Sequence, residues 1–289
     1  MSKQRRATGL GHALFAAPFL ISFIGLFLGP ACYALYLSFT RYRGFGVARF
    51  VGLENYSVIL AYDAFWTMLG NTLFYWVAHA VPMMAIALGL AIIVQRRAVA
   101  WTQTFKTLVF LPQILASVAT ALLFQTFFGT HYGLLDRMLG FDTPWLTDPD
   151  LARWTVVAVL IWRSTGYWFI VFLAGLTTIS PEIDEAASID GAGAWRRLWH
   201  ITLPLMRPTL VFAVVVDAIV TLRLFAEPNV LLGRAGALAP TSVAPLLNLV
   251  VEQMRAGLFG AAAATGWLLF ALIAALTFIL FRLMRERAA

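Results

Sequence analysis

The stretch Thr67–Val94, TMLGNTLFYWVAHAVPMMAIALGLAIIV, runs for 28 residues without an Asp, Glu, Lys or Arg. At about 1.5 Å per helical residue, about 20 such residues cross the roughly 30 Å of a bilayer's hydrocarbon. Backbone polar groups at that depth find no water, so a helix must satisfy them, and the run is too long for a barrel strand. Five further apolar runs lie near 13–39, 107–128, 154–179, 208–226 and 262–281. The segments between them carry the Pro, Gly, Asp and Arg that mark loops. The sequence therefore predicts an all-α integral membrane protein of about six transmembrane helices. Its transmembrane domain covers 13–284, between an N-terminus of 1–12 and a tail of 285–289.

Composition agrees. Of 289 residues, 61% are hydrophobic and 12% charged, against about 45–50% and about 25% in soluble domains. A chain of this size cannot bury that surplus in one core, so lipid is the expected partner for much of its surface. The single cysteine, Cys32, excludes an internal disulfide framework. The histidines (His12, His79, His131 and His200) lack the i, i+3 or i+4 spacing that pairs ligands on a helix face, so no metal site is expected.

The net charge of +7 reads as membrane topology rather than as a nucleic-acid surface. The basic start, Met1 to Arg6, resembles a signal peptide, but the run from Ala13 to Phe39 far exceeds a 7–15-residue h-region and reads as an uncleaved span. With the N-terminus inside, the inner segments hold twelve Lys and Arg, among them Arg96, Arg97, Arg196, Arg197, Arg285 and Arg287, and the outer loops seven. Both termini are therefore expected on the cytoplasmic side. Trp66, Trp101, Trp145 and Trp154 stand near span ends, as interfacial anchors do.

The longest expected inner loop, 180–207, has structure of its own. Ser180-Pro181 is a helix-start signal, and Glu182, Asp184 and Glu185 put negative charge in the first turns, where the helix dipole favours it. Asp190-Gly191 is a break, Ala194–Trp199 begins a second amphipathic stretch, and Pro204 and Pro208 punctuate the approach to the fifth span. Two short helices at an angle, on the membrane surface, are expected.

Glu185-Ala186-Ala187, three intervening residues, Gly191, nine more, then Ile201-Thr202-Leu203-Pro204, resembles the EAA loop of permeases in binding-protein-dependent ABC importers. The likeness runs along nearly the whole chain and narrows to the carbohydrate type, the maltose, glycerol-3-phosphate and trehalose permeases. Phe50–Tyr56 resembles their F-x-G-L-x-N-Y loop, which suggests the first of two non-identical permeases. Asn71-Thr72-Leu73, Phe110-Leu111-Pro112, Trp145–Pro149 and Trp162-Arg163 match further segments. One departure follows span five, where Ala226-Glu227-Pro228 and Gly233–Gly236 replace an aspartate and a T-G-G-G-P turn. The resemblance implies the type I ABC importer permease fold, with the loop as a coupling helix docking on a cytoplasmic ATPase. Glu185, Ala186, Ala187, Asp190, Gly191, Ala192, Leu203 and Pro204 are then the ATPase-coupling residues. It also implies two ATPase copies, a second non-identical permease and an extracytoplasmic substrate-binding protein, all at the bacterial inner membrane.

The chain has no Walker A loop of its own. Its only lysines are Lys3 and Lys106, neither preceded by glycine. It is thus expected to be a non-catalytic subunit without cofactor, ATP and magnesium being used by the partner ATPase. Arg163, Asp217 and Arg223 are ionisable residues inside apolar runs, which marks them as lining an aqueous path or, for the arginines, as snorkelling to the interface. Asp217 and Arg223, six apart, fall on different faces of one straight helix and are not expected to pair. Tyr167 is a fourth path candidate: it and Trp168 suit either a sugar face or helix packing. His79, Gln113 and Gln125 read as bonds between helices. The rival readings are an ion-coupled secondary transporter, an assembly protein without transport, and a glycerol-phosphate or polyol cargo in place of a sugar.

Overall fold

A computed structural model describes residues 16–95, 102–129, 133–140, 142–233 and 237–286. Lys3, Arg5, Arg6, Arg96, Arg97 and Arg287 of the charge count, together with Trp101, His12, His131 and the turn 234–236, lie outside the described residues. The chain divides into two compact units, 1–62 with 249–269 and 63–248 with 270–289.

In the first unit, α1 (Ala16–Ser38) leads into a two-stranded antiparallel ribbon, β1 (Thr40–Arg41) against β2 (Arg49–Phe50), with Thr40 opposite Phe50. Helix α2 (Glu54–Leu60) follows. The Asn55 amide donates to the carbonyls of Ser38 at 2.8 Å and Thr40 at 2.9 Å, and the Tyr56 and Ser38 hydroxyls lie 2.7 Å apart. The Phe50–Tyr56 segment thus acts as a splint: its polar side chains satisfy carbonyls that α1 leaves open where it ends. Within α1, Ile24–Leu28 is a π-turn, closed by the Gly29 N–H on the Ile24 carbonyl and followed at once by Pro30.

The second unit is built on α3 (Asp63–Gln95), α4 (Thr102–Ile114), α5 (Ser117–Phe128), α6 (Leu134–Leu139) and α7 (Pro149–Thr177). After these come α8 (Pro181–Ile189), α9 (Ala194–Leu205), α10 (Arg207–Thr221) and α11 (Ala226–Leu232). Two last helices, α12 (Leu246–Arg255) and α13 (Phe259–Glu286), have residues in both units, 249–269 belonging to the first. Among the described residues four helices, α1, α3, α7 and α13, are long and apolar enough to cross a membrane, or up to six if the bent pairs α4–α5 and α9–α10 each count as one span.

The core lies between α3 and α7. Ala87 and Ala91, one turn apart on α3, are fully buried opposite Phe169 and Phe172, so small residues on one helix admit large ones from the next. Gly166 does the same for the backbone: a Cβ there would strike the Val109 carbonyl oxygen of α4.

Three of the expected runs differ from the helices found. The run 107–128 is not one rod, because α4 and α5 meet at 98°. Pro112 has no N–H to continue the ladder, and Ala116, extended at φ −60° and ψ 141°, starts the new helix. The run 208–226 is helical only to Thr221, so the straight-helix geometry assumed for Asp217 and Arg223 does not apply. The helix expected from 154 starts at Pro149. Asp148 caps it, its Oδ1 accepting from the N–H groups of Asp150 and Leu151 at 3.0 Å each.

Candidate functional site

Helix α7 presents Leu160, Arg163, Ser164 and Tyr167 on one face, at helical spacing. Helix α10 turns Val216, Asp217, Val220 and Thr221 the same way, and α11 closes the space with Glu227. Between them, with His79 of α3 and Gln113 of α4, is a cavity of about 440 Å³, inside the range of small-molecule sites, about 300–1,000 Å³. All four path candidates, Arg163, Tyr167, Asp217 and Arg223, line it. Arg223 does so from the turn after α10, where the chain has left the helix; its Nε donates to the Ile219 carbonyl at 3.0 Å and the residue is exposed.

The charges inside this cavity are matched but not saturated. Arg163 Nη2 stands 3.1 Å from Glu227 Oε1, across from α7 to α11. The approach is not aligned as a hydrogen bond, so Glu227 Oε1 accepts none and Arg163 Nε donates none. The Ser164 hydroxyl gives its one proton to the Leu160 carbonyl at 2.7 Å, so it accepts from His79 Nε2, also at 2.7 Å. A neutral His79 then turns a bare Nδ1 towards Asp217 Oδ2, 3.7 Å away. His79 Nδ1 and Asp217 Oδ2 therefore face one another across α3 and α10. The side chains of His79, Asp217 and Glu227 are 3–4% exposed, yet His79 Nδ1, Asp217 Oδ2, Glu227 Oε1, Arg163 Nε and Gln113 Oε1 all lack a hydrogen-bond partner. Nine such buried side-chain atoms exist among the described residues, and five belong to residues that line this one cavity. Leaving such atoms unpaired costs about 1–3 kcal/mol each.

Of the two aromatic candidates, Trp168 is buried against Phe172 and Phe212, whereas Tyr167 is 37% exposed and free to face an occupant. Reading the sequence alone did not place three members of this cluster at the cavity. His79 and Gln113 read as helix-to-helix bonds, which His79 does make, to Ser164 of α7, and Glu227 counted only as a departure after span five. The signal for Glu227 was available: an acidic residue beside an apolar run in a chain whose Arg163, in another apolar run, had no assigned counter-charge. Gln125 does bond another helix, donating to the carbonyls of Val230 and Leu231 on α11. Asn71 likewise ties down the backbone between α11 and α12, donating to Thr241, Ser242 and Ala244 carbonyls at 3.0–3.2 Å.

The loop 180–207 is of the opposite character. Ser180 takes the N-cap position with extended backbone, although its side chain makes no capping bond, and Pro181 opens α8. The helix closes with Gly191 N–H on the Ser188 carbonyl and Ala192 N–H on the Ala187 carbonyl. This closure needs a left-handed residue after the cap, and Gly191 has φ +77° with open space around it. Conformation, not room, is why glycine stands there. Ala187 is buried while Glu185, Ala186 and Asp190 are exposed, and Glu185 borders a smaller cavity of about 290 Å³ with Thr202. Leu203 and Pro204 end α9 just before a 70° bend into α10. The outer surface carries Ile189 at 87% and Trp195 at 71% exposure, with Trp199 packed edge-on against Trp195.

Long apolar helices, a polar cavity among them and an amphipathic loop suit a permease component of membrane transport. The chain belongs to the family described as "Binding-protein-dependent transport system inner membrane component", whose pattern matches residues 72–288. It is 32% identical to the lactose transport system permease protein LacF of Rhizobium radiobacter over 296 residues, 99% of this chain and 98% of that one. It is 34% identical to the arabinooligosaccharides transport system permease protein AraP of Bacillus subtilis over 223 residues, 75% and 71% of the two chains. Its fold superposes with a TM-score of 0.83 on a chain of a bacterial ABC transporter that imports the acidic polysaccharide alginate, at 22% identity and 98% coverage of both. The family is one of membrane permease components, not of enzymes.

Proposed function

We propose that this chain is one permease half of an ATP-driven sugar importer, and that the cavity between α7, α10 and α11 is where the cargo passes. The observation that carries this reading is a cavity of about 440 Å³ among apolar helices whose lining includes Arg163, Glu227, Asp217, His79 and Gln113, polar and ionisable groups of the kind that mark a pathway in a membrane protein. Tyr167 at its wall supplies an aromatic face for a sugar ring. The names of LacF and AraP, lactose and arabino-oligosaccharide permeases, favour a di- or oligosaccharide.

In this reading the loop 180–207 is cytoplasmic, as are both termini, and α8 and α9 couple the chain to its motor. Exposed Ile189, Trp195 and Trp199 are the apolar anchors a docking helix needs, and Glu185 adds a charge. The partners are a second, non-identical permease that completes the pathway, two ATPase copies that use ATP and magnesium, and an extracytoplasmic binding protein. Closure of the ATPases then moves the helices as rigid bodies between two states.

The test is to substitute Gly191→Pro and Glu185→Lys in the intact complex. Both variants should insert, yet lose co-purification of the ATPase or the stimulation of ATP hydrolysis by cargo-loaded binding protein. Normal stimulated hydrolysis in both would remove the coupling role. Thermal-shift screening of the partner binding protein against a saccharide panel then names the cargo.

A further inference from the structure

The ribbon 40–50, directly after α1, carries arginines and an apolar tip that belong neither to the cavity nor to the loop 180–207. Its base is fixed. The Gly260 N–H of α13 donates to the Tyr42 carbonyl at 3.3 Å, and a Cβ on Gly260 would strike the Thr40 carbonyl oxygen. The Tyr42 ring also meets that of Phe259. The end of one long apolar helix and the start of another thus hold the ribbon at a single face of the bilayer. From that base Gly44 and Gly46, at φ +88° and +77°, turn the chain around Phe45. Phe45 and Val47 are each 93% exposed, and Phe50, Leu53 and Val58 are exposed further along.

The charges are as uneven. Segment 40–60 carries three arginines and one acid, Glu54, which pairs with Arg41. Arg41 and Arg49 are direct cross-strand neighbours, and like charges so placed, about 4.5–5.5 Å apart at Cβ, destabilise a strand pair. Arg43 and Arg49 are both exposed, and neither side chain has a hydrogen-bond or ion-pair partner among the described residues. On the proposed topology they stand outside, against the bias that keeps Lys and Arg in the cytoplasm, so topology does not account for them. An anion beside the strands does. Guanidinium forks fit phosphate oxygens, and at this level of the bilayer lipid headgroups supply them. Exposed apolar residues beside Lys or Arg also mark segments that lie in the interface. We propose that the ribbon is a phospholipid site: Phe45 and Val47 enter the bilayer interface, while Arg43 and Arg49 hold the phosphate of an anionic phospholipid. An acidic protein surface would match the arginines too, but an apolar tip a few residues beyond a span already lies against lipid. The site sets the chain in its bilayer and is independent of what the cavity carries.

The test puts a reporter on the tip. In the full chain with its co-purifying subunits, Cys32→Ser removes the native thiol and Val47→Cys takes a fluorophore. The protein is placed in mixed vesicles of phosphatidylcholine and phosphatidylglycerol, in which one lipid or the other carries bromine on its acyl chains, a quencher that acts only at contact. Quenching by either lipid reads insertion, and the ratio of the two reads the headgroup held there. Phosphatidylglycerol should quench at about a tenfold lower mole fraction than phosphatidylcholine, the scale of two arginines at an anionic surface. Arg43→Gln with Arg49→Gln should abolish that preference and keep the quenching by phosphatidylcholine. Both arginines are exposed, so the melting temperature should match wild type. Arg137→Gln, at an exposed arginine of α6, should change nothing. No quenching by either lipid, equal quenching by both, or a preference that survives the double substitution would overturn the site. Equal loss in Arg137→Gln would do the same, by reducing the effect to net charge. So would a tip that lipid does not quench and whose emission shifts only when the binding protein is added, which would make the ribbon a protein contact. None of these outcomes bears on the cavity.

Discussion

Around Arg163 the protein buries polar atoms and leaves them without partners; along α8 and α9 it exposes Ile189, Trp195 and Trp199 with little cover beyond each other. A fold governed by stability alone would do neither, since the first sacrifices hydrogen bonds and the second apolar burial. The two departures are opposite in sign, and each describes what is missing. On the proposed reading the polar cavity takes a small hydroxyl-bearing molecule, and the uncovered tryptophans of the loop take a protein surface.

Three substitutions press on that contrast, with the largest effect expected first. Glu227→Ala strands the Arg163 guanidinium in the cavity, which at buried pairs costs about 3–5 kcal/mol. The variant should show a strongly lowered melting temperature in detergent and near-background transport. Combining it with Arg163→Met should restore the melting temperature but not transport; recovery of both would reduce the pair to scaffolding. Next in size, Trp195→Ser with Trp199→Ser should weaken ATPase retention on a column by about tenfold or more, as loss of interface anchors does. Thermal stability of the permease should hardly change, because these rings cover little of it, and a large fall in melting temperature would mean they belong to the core. Smallest is Asp148→Ala, which removes the cap of α7 and should cost about 1 kcal/mol. It touches neither site, so transport per folded molecule should stay at the wild-type level; a selective loss of transport would tie the start of α7 to the cavity.

The sequence disclosed these features unevenly. Long apolar runs announce their helices because the bilayer demands length and uniformity, so α3 and α7 stood out at once. The spacing of Glu185, Gly191 and Pro204 was equally plain, because Gly191 answers to a backbone angle that few other residues adopt. The break between α4 and α5 was less legible. Pro112 is compatible with either a kink or a stop, and composition does not say which. The cavity was half legible: Arg163, Asp217 and Arg223 are conspicuous as charges, whereas His79 and Gln113 gain their meaning only from what the neighbouring helices leave unsatisfied. Glu227 was hidden by chain distance, since its partner lies 64 positions earlier and no local pattern connects them.

The second π-turn, Leu198–Thr202, sits directly before Leu203-Pro204, as Ile24–Leu28 sits before Gly29-Pro30. In each case the wider turn comes just before a residue that cannot donate to the helical ladder. One more residue per turn also has a geometric effect: it shifts the angular phase of everything beyond it by about 100°. Trp195 stands before that shift and the start of α10 after it. The direction in which Trp195 points, relative to Asp217, thus depends on one inserted residue together with the 70° bend between α9 and α10. Deleting His200 or Ile201 would keep the exposed tryptophans and the cavity residues and yet turn one set away from the other, a change of aim with almost no change of composition.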